Sequence, residues 1–426
     1  MTENVYNTYL GILKHELQPA LGCTEPIAIA YAAAKAREAL GDMPERILVS
    51  CSGNIVKNVK GVIVPNAGGL RGIEVAATLG VVGGDPVKKL EVLMGVTQED
   101  IQRTKQLVAA GYCTCSLEEK VPPLYIKVQA RKGEDEASVT IENSHTNITN
   151  ITRNGECVFS GLRTTGKPAV EEEDPRRQLT VAQIIEFADE VRITDVEEIL
   201  ERQIACNEAI AQEGLDNNYG IGVGKTLLKR YDASDVRIRA RAKAAAGSDA
   251  RMSGCPMPVV INSGSGNQGI TVSLPVIEYA KELQASTEEL YRALTVANLI
   301  AIHQKQYIGS LSAFCGAVCA ATGAASGISY LHGGRYDAIS KTIIDTLANV
   351  GGIVCDGAKP SCAAKISSAL DAAILGFEMG TEEGRAFNDG EGLVKQDVEA
   401  TIKSFGRVGK DGMKTTDREI LHIMME

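Results

Sequence analysis

Apolar positions recur with a helical period through most of the chain. Val5, Tyr9, Ile12, Leu13 and Leu17 share one face and predict a helix over residues 3–17, ending before Pro19. After a short loop and Cys23, Thr24-Glu25-Pro26 opens an Ala-rich helix through Leu40, with a capping residue, an acid in the first turn and an early proline. Further helices are expected at 70–80, 86–93 and 98–111, with strand-like runs at Arg46–Ser52 and Gly61–Val64. From Cys113 to Phe159 the period changes to two. Leu124–Ala130, Ala137–Glu142 and Cys157–Phe159 alternate or carry β-branched residues, which predicts a small antiparallel sheet. Beyond Leu179 the helical period returns at 180–188, 195–212, 234–247, 271–284, 287–303, 335–350 and 361–378, broken by the short apolar strand Val259–Asn262. Residues 309–334 are apolar and rich in Gly, Ala and Ser, as in a buried, closely packed helix.

The expected fold is mixed α/β of the α+β kind. An α/β part over 1–165 carries the small sheet, and a mainly α-helical part spans 175–426. The polar, Gly- and Pro-containing stretch Arg163–Asp174 reads as an exposed linker between them. Of the 426 residues, 44 are Lys or Arg and 54 are Asp or Glu, a net charge of −10. That balance, the 4% aromatic content and the absence of Trp argue against nucleic acid and anionic membranes as partners. The N-terminal segment lacks the apolar core of a signal peptide, and no apolar run reaches the roughly 18 residues of a membrane span. A cytoplasmic chain is expected, with its eleven cysteines reduced. In that setting an odd cysteine count points towards metal binding or catalysis for some of them.

Two nucleotide-binding patterns fail on context. Gly220–Thr226 resembles a phosphate loop, but Tyr219 occupies the first glycine position and a helical pattern precedes it. Gly264-Ser265-Gly266-Asn267-Gln268-Gly269 fits a dinucleotide fingerprint, yet a second helix follows where a parallel strand is required. The stretch Ser263–Gly269 still gathers backbone N–H groups, two hydroxyls and two amides at a helix start. It suits a small carboxylate, or it is a plain capped turn.

Among the cysteines, Cys51, Cys113, Cys115, Cys157 and Cys206 lie on strand or helix patterns and read as core thiols. Cys315 and Cys319 lie one helical turn apart; Cys355 and Cys362 flank a Gly/Pro loop leading into a helix. The second pair is spaced more widely than zinc pairs normally are, whereas an iron–sulfur cluster accepts it; buried core thiols are the other reading. Cys23 immediately precedes a helix, where the dipole should favour the thiolate. The five histidines form no spaced pair, and a structural role is expected for each, although His303 and His332 could face a site.

LGCTEP, SGSGNQG, SAFCGAVCAATGAASG and GGIVCDGAKPSC, spread over essentially the whole chain, together resemble the L-cysteine desulfidase family. The C-terminal half is also similar to the α-chain of iron–sulfur L-serine dehydratases. The resemblance implies a [4Fe–4S] cluster, easily lost in air, no pyridoxal phosphate, and β-elimination of L-cysteine to pyruvate, ammonia and hydrogen sulfide. It implies Cys315, Cys355 and Cys362 as metal ligands, with Cys319 as substitute for Cys362, because the dehydratases space their late cysteines more widely. It implies Cys23 as catalytic base, or as a fourth ligand. Ser263, Ser265, Asn267 and Gln268 are then the substrate-binding residues for a small amino acid. The rival readings are an L-serine dehydratase using the same site and a non-catalytic cysteine-binding protein. Assembly into a homo-oligomer is left open.

Overall fold

The computed structural model describes residues 1–161, 174–309 and 311–426. The linker expected at Arg163–Asp174, apart from Asp174 itself, lies outside the described residues, as does the end of the expected first domain. The chain is an α+β fold with a helical C-terminal part. Its strands are β1 (Pro19–Leu21), β2 (Arg46–Cys51), β3 (Cys113–Leu117), β4 (Tyr125–Lys132), β5 (Asp135–Glu142), β6 (Ile148–Arg153), β7 (Glu156–Ser160) and β8 (Pro258–Val260).

Six of them form one sheet in the order β3-β2-β4-β5-β6-β7. The expected antiparallel sheet is therefore larger and mixed, because β3 runs parallel to β2. The two-residue period works as read on β4 and β5: Ile126, Val128 and Ala130 pair with Ile141, Val139 and Ala137, and all six are buried. The helix Thr24–Leu40 packs on these two strands and against the helix Ile73–Gly83. A Cβ added at Gly80 would lie 2.3 Å from the Ala30 carbonyl oxygen. The alanines of Thr24–Leu40 thus permit close helix contact, and 13 of its 17 residues are buried.

Local pattern misleads at four short elements. Pro86–Glu91 is a 3-10 turn in which Lys89 has φ 47°, not a helix. Gly61–Val64 forms no strand; Ile63 makes only a single bridge to Arg71. β6 and the helix Gly53–Val59 are polar in sequence and owe their form to neighbours, β6 by pairing with β5. Gly220–Thr226 follows the helix Ile193–Asp216, and the Gly224 N–H donates to the Asp249 carboxylate at 3.2 Å. An anion of the chain itself thus occupies the place a phosphate would need.

In the C-terminal part the helix Gly316–Leu331 is buried along nearly its whole length, as its small residues suggest. It packs against Thr287–Ile308 and Gly266–Glu282. Cβ atoms at Gly323 and Gly327 would fall 2.4 and 2.8 Å from the carbonyl oxygens of Ala297 and Ala293. Among the described residues no helix is long and apolar enough to cross a membrane.

The two remaining strands position the site. β1 pairs antiparallel with β8, Pro19 opposite Val260, and the Ile261 N–H donates to the Gln18 carbonyl at 2.9 Å. This short ladder fastens the segment before Cys23 to the segment before the Gly-rich loop.

Candidate active site

Asn262 and Ser265 exchange both backbone hydrogen bonds, at 3.1 and 3.0 Å, around Ser263 and Gly264. Those two residues have φ of 49° and 78°, the left-handed pair of a tight hairpin turn. The turn is held from below. The Asn262 side-chain amide donates to the Asn298 side-chain oxygen at 3.0 Å, and Asn298 exchanges bonds with Gln203 at 2.8 and 3.0 Å, all fully buried. A satisfied polar network of this kind fixes the turn's aim. Ser265 then stands at the N-cap position of the helix Gly266–Glu282, with no side-chain cap bond, and the first residues of that helix include Asn267 and Gln268.

The late cysteines arrive by a second short bridge. Phe314 pairs with Val354; the Cys315 N–H donates to Ile353 and the Cys355 N–H to Ala313, at 2.9 and 2.7 Å. The thiol of Cys315, donating to Cys355, together with Lys57 and Lys305 pulls Cys355 down to about 6 in spite of its burial. Cys315 is correspondingly held well above the usual thiol range by the same bond and by burial. Cys362 opens the helix Cys362–Phe377, and its sulfur accepts from the Lys359 N–H at 3.5 Å. Cys319, one turn into its helix, is buried behind the wall, and burial pushes it to about 11. All eleven cysteines are free thiols.

The field at Cys23 differs from the one its position predicts. Burial, then the charge of Glu25, raises this thiol well above its ordinary value. The carboxylate in the first turn, read in sequence only as a helix-starting acid, outweighs the helix dipole. Cys23 Sγ–H donates to Glu25 at 3.2 Å, as do Thr24 Oγ1 at 3.1 Å and Asn58 Nδ2 at 3.0 Å. Burial alone would raise Glu25, but His145, 3.9 Å away, and these donors hold it down at about 2. The single Thr24 hydroxyl proton is shared with the Gly264 carbonyl, 2.9 Å from Oγ1, which joins the Cys23 segment to the hairpin turn.

These pieces close on one cavity of about 1300 Å³. Cys23, Ser263, Ser265, Asn267, Gln268, Cys315, Cys355 and Cys362 all line it; Cys319 does not. The two cysteine-bearing and serine-bearing walls touch, because a Cβ at Gly316 would sit 2.5 Å from Gln268 Cδ. Sequence reasoning missed three further lining residues. Arg251 is 3% exposed, bonded through Nε to the Gly22 carbonyl at 2.9 Å, and has no carboxylate partner among the described residues. Lys305 is buried and equally unpaired among them, and burial lowers it. His145 lies over Gly264, and its Nε2 has no hydrogen bond. The two histidines that could have faced a site do not: His303 is bonded to Glu399 and Gln306, and His332 packs on Phe377 with centroids 4.8 Å apart. Buried, unpaired cations around a polar cavity imply an anionic ligand.

Comparison with known proteins identifies the family. The family described as serine dehydratase alpha chain matches residues 87–422, which reaches from the sheet to near the C-terminus and is not confined to the C-terminal half. A UPF0597 protein of Desulfitobacterium hafniense is 52% identical over 99% of this chain and 97% of its own length. A UPF0597 protein of Lachnoclostridium phytofermentans is 52% identical over 99% of this chain and 100% of its own. One from Treponema denticola is 44% identical over 100% and 99%. With most of its length inside the matched region and nearly all of it shared with these relatives, the chain belongs to the serine dehydratase alpha chain family, alongside the UPF0597 proteins.

Proposed function

We propose that the chain is an iron–sulfur-dependent lyase that converts L-cysteine to pyruvate, ammonia and hydrogen sulfide by β-elimination. The observation that carries the reading is the placement of three thiols opposite a carboxylate-sized turn and an unpaired arginine, across one cavity. Among the described residues no three His, Cys, Asp or Glu side chains converge on a point, the arrangement a single zinc ion would need. An iron–sulfur cluster takes each thiolate on a separate iron. Cys315, Cys355 and Cys362, with Lys57, Lys305 and Lys365 beside them to offset thiolate charge, suit that donor requirement. When bound, the cluster supplies a Lewis-acidic iron at which departing sulfur is stabilised.

The chain's own residues do the rest. Arg251, Ser263, Ser265 and the amides of Asn267 and Gln268 hold the substrate carboxylate at the start of the helix Gly266–Glu282. Cys23 is the proposed base at Cα. It rests as a thiol donating to Glu25, a carboxylate too weakly basic to take its proton, so the thiolate that acts at Cα has to form as substrate binds. Loss of the Cα proton and of the β-sulfur leaves the enamine, 2-aminoacrylate. Free enamine then tautomerises and hydrolyses to pyruvate and ammonia.

The family description keeps L-serine as the second substrate to measure, with hydroxide in place of sulfide as leaving group. The test is anaerobic reconstitution with iron and sulfide, then release of sulfide and pyruvate from L-cysteine and of pyruvate from L-serine. Turnover of L-cysteine that depends on iron is expected. Full activity in iron-free protein would remove the cluster, and preference for L-serine would reassign the substrate.

A further inference from the structure

The carboxylate pole leaves the other charged group of an amino acid without a binding partner, and a second set of polar atoms in the cavity is equally unused. Asn54 and Asn58 lie four residues apart on the helix Gly53–Val59, so their side chains share one face. Both line the cavity, and the Oδ1 atom of each is buried without a hydrogen bond. Asn58 is 7% exposed.

The amide of Asn58 has only one orientation open to it. Its Nδ2 donates to Glu25 Oε1 at 3.0 Å, and an ionised carboxylate accepts but cannot donate. The carbonyl oxygen must therefore turn away from Glu25. It faces Gly357 in the loop between Cys355 and Cys362, where a Cβ would approach it to 3.0 Å. A buried amide oxygen without a donor is unfavourable by about 1–3 kcal/mol, and such groups in native proteins normally have a partner. The partner has to bring donors and a positive charge, because Glu25 places a carboxylate directly behind this amide. A primary ammonium meets both demands; a hydroxyl meets one.

We infer that Asn58, oriented by Glu25 and assisted by Asn54, receives the α-ammonium group of the substrate. This selects α-amino acids over carboxylic acids lacking the amine. The inference rests on the proposal that the substrate is a small amino acid. It places the ammonium beside the cysteine loop, with the carboxylate on the serine-bearing wall, and so fixes which end of the zwitterion faces which wall. Asn58 positions substrate and takes no part in bond breaking.

Two probes that differ only in the amine test it: L-alanine and propionate, titrated into anaerobically purified protein by calorimetry. Native protein is expected to bind L-alanine at least tenfold more tightly than propionate. Asn58→Leu, close to isosteric, is expected to lose at least tenfold in L-alanine affinity while propionate stays within twofold, which also shows that the site has folded. Should Asn58→Leu fail to fold, Asn54→Leu is read the same way, with a smaller selective loss expected. Equal loss for both probes, or no loss for L-alanine, overturns the ammonium assignment. If the native protein binds neither probe, the amino-acid reading of the site falls first and this inference with it.

Discussion

The chain carries two groups of three cysteines, and only one of them lines the large cavity of the site. Cys51, Cys113 and Cys115 sit on the parallel pair β2 and β3. Cys315 and Cys362 sit at the starts of two helices, and Cys355 in the loop that leads into the second. Each group holds one thiol that donates to another, Cys51 to Cys115 and Cys315 to Cys355, and in each the donor rises and the acceptor falls. What separates them is the surrounding charge. Around the strand group the nearby ion is Glu74, and burial pushes Cys113 to about 12. Around the helix group lie Lys305, Lys57 (paired with Asp417) and Lys365 (paired with Asp356), and Cys355 falls to about 6, first through the Cys315 hydrogen bond and then through Lys57 and Lys305. Thiol count and proximity are shared; access and cationic neighbours make the difference.

The comparison breaks most visibly by deleting one thiol from each group. Cys355→Ala is expected to abolish bound iron and acid-labile sulfide and to lower turnover of L-cysteine by at least about 10³-fold, the value of several kcal/mol of lost charge stabilisation. Cys51→Ala is expected to keep iron and rate while losing about 1 kcal/mol of stability in urea unfolding, since its side chain is fully buried. Iron lost from both variants, or from neither, would erase the distinction. Next in size is Arg251→Met, which removes the unpaired cation of the carboxylate wall. A fall in kcat/KM of about 100-fold is expected from the lost charge-assisted bond, with bound iron unchanged. Iron loss in that variant would place Arg251 with the thiols instead.

The two walls were not equally legible. Ser263–Gly269 and the Cys355–Cys362 loop are each local in the chain, so glycine content and thiol spacing reveal them directly. Arg251, Lys305, His145 and Asn58 lie singly among residues of unrelated character, and each acquires its place through distant contacts, Arg251 with Gly22 and Asn58 with Glu25. A signal was available for Arg251: the run Ala244-Ala245-Ala246-Gly247 before it marks a fully buried helix stretch on which charged residues such as Asp249 and Arg251 are out of place. Cys23 misled for a related reason. The helix dipole is a property of position, whereas the opposing charge of Glu25 and the burial come from packing. In the sheet, β4 and β5 were readable because one face is apolar, while β6 alternates Ile with Thr and Asn and gains its form only from β5.

The same rule, that the neighbouring groups decide the state of a buried one, extends to two carboxylates and yields the smallest effect. Glu25 has His145 beside it and is held at about 2. Asp249 is 1% exposed, has an Oδ1 without a partner, and is pushed by burial to about 6 from an ordinary 3.8. Between those two values the folded chain holds a proton that the unfolded chain has released. The stability contributed is therefore complete below about 4 and is lost as pH rises through about 6. Asp249→Asn can keep the acceptor for the Gly224 N–H but does not titrate. It should gain on the native protein by on the order of 1–2 kcal/mol between pH 4 and pH 7, allowing for solvent screening. Urea midpoints at the two pH values measure this directly. A difference independent of pH would mean that Asp249 is ionised in the folded chain throughout, with a cation supplied from elsewhere, and the contrast with Glu25 would disappear.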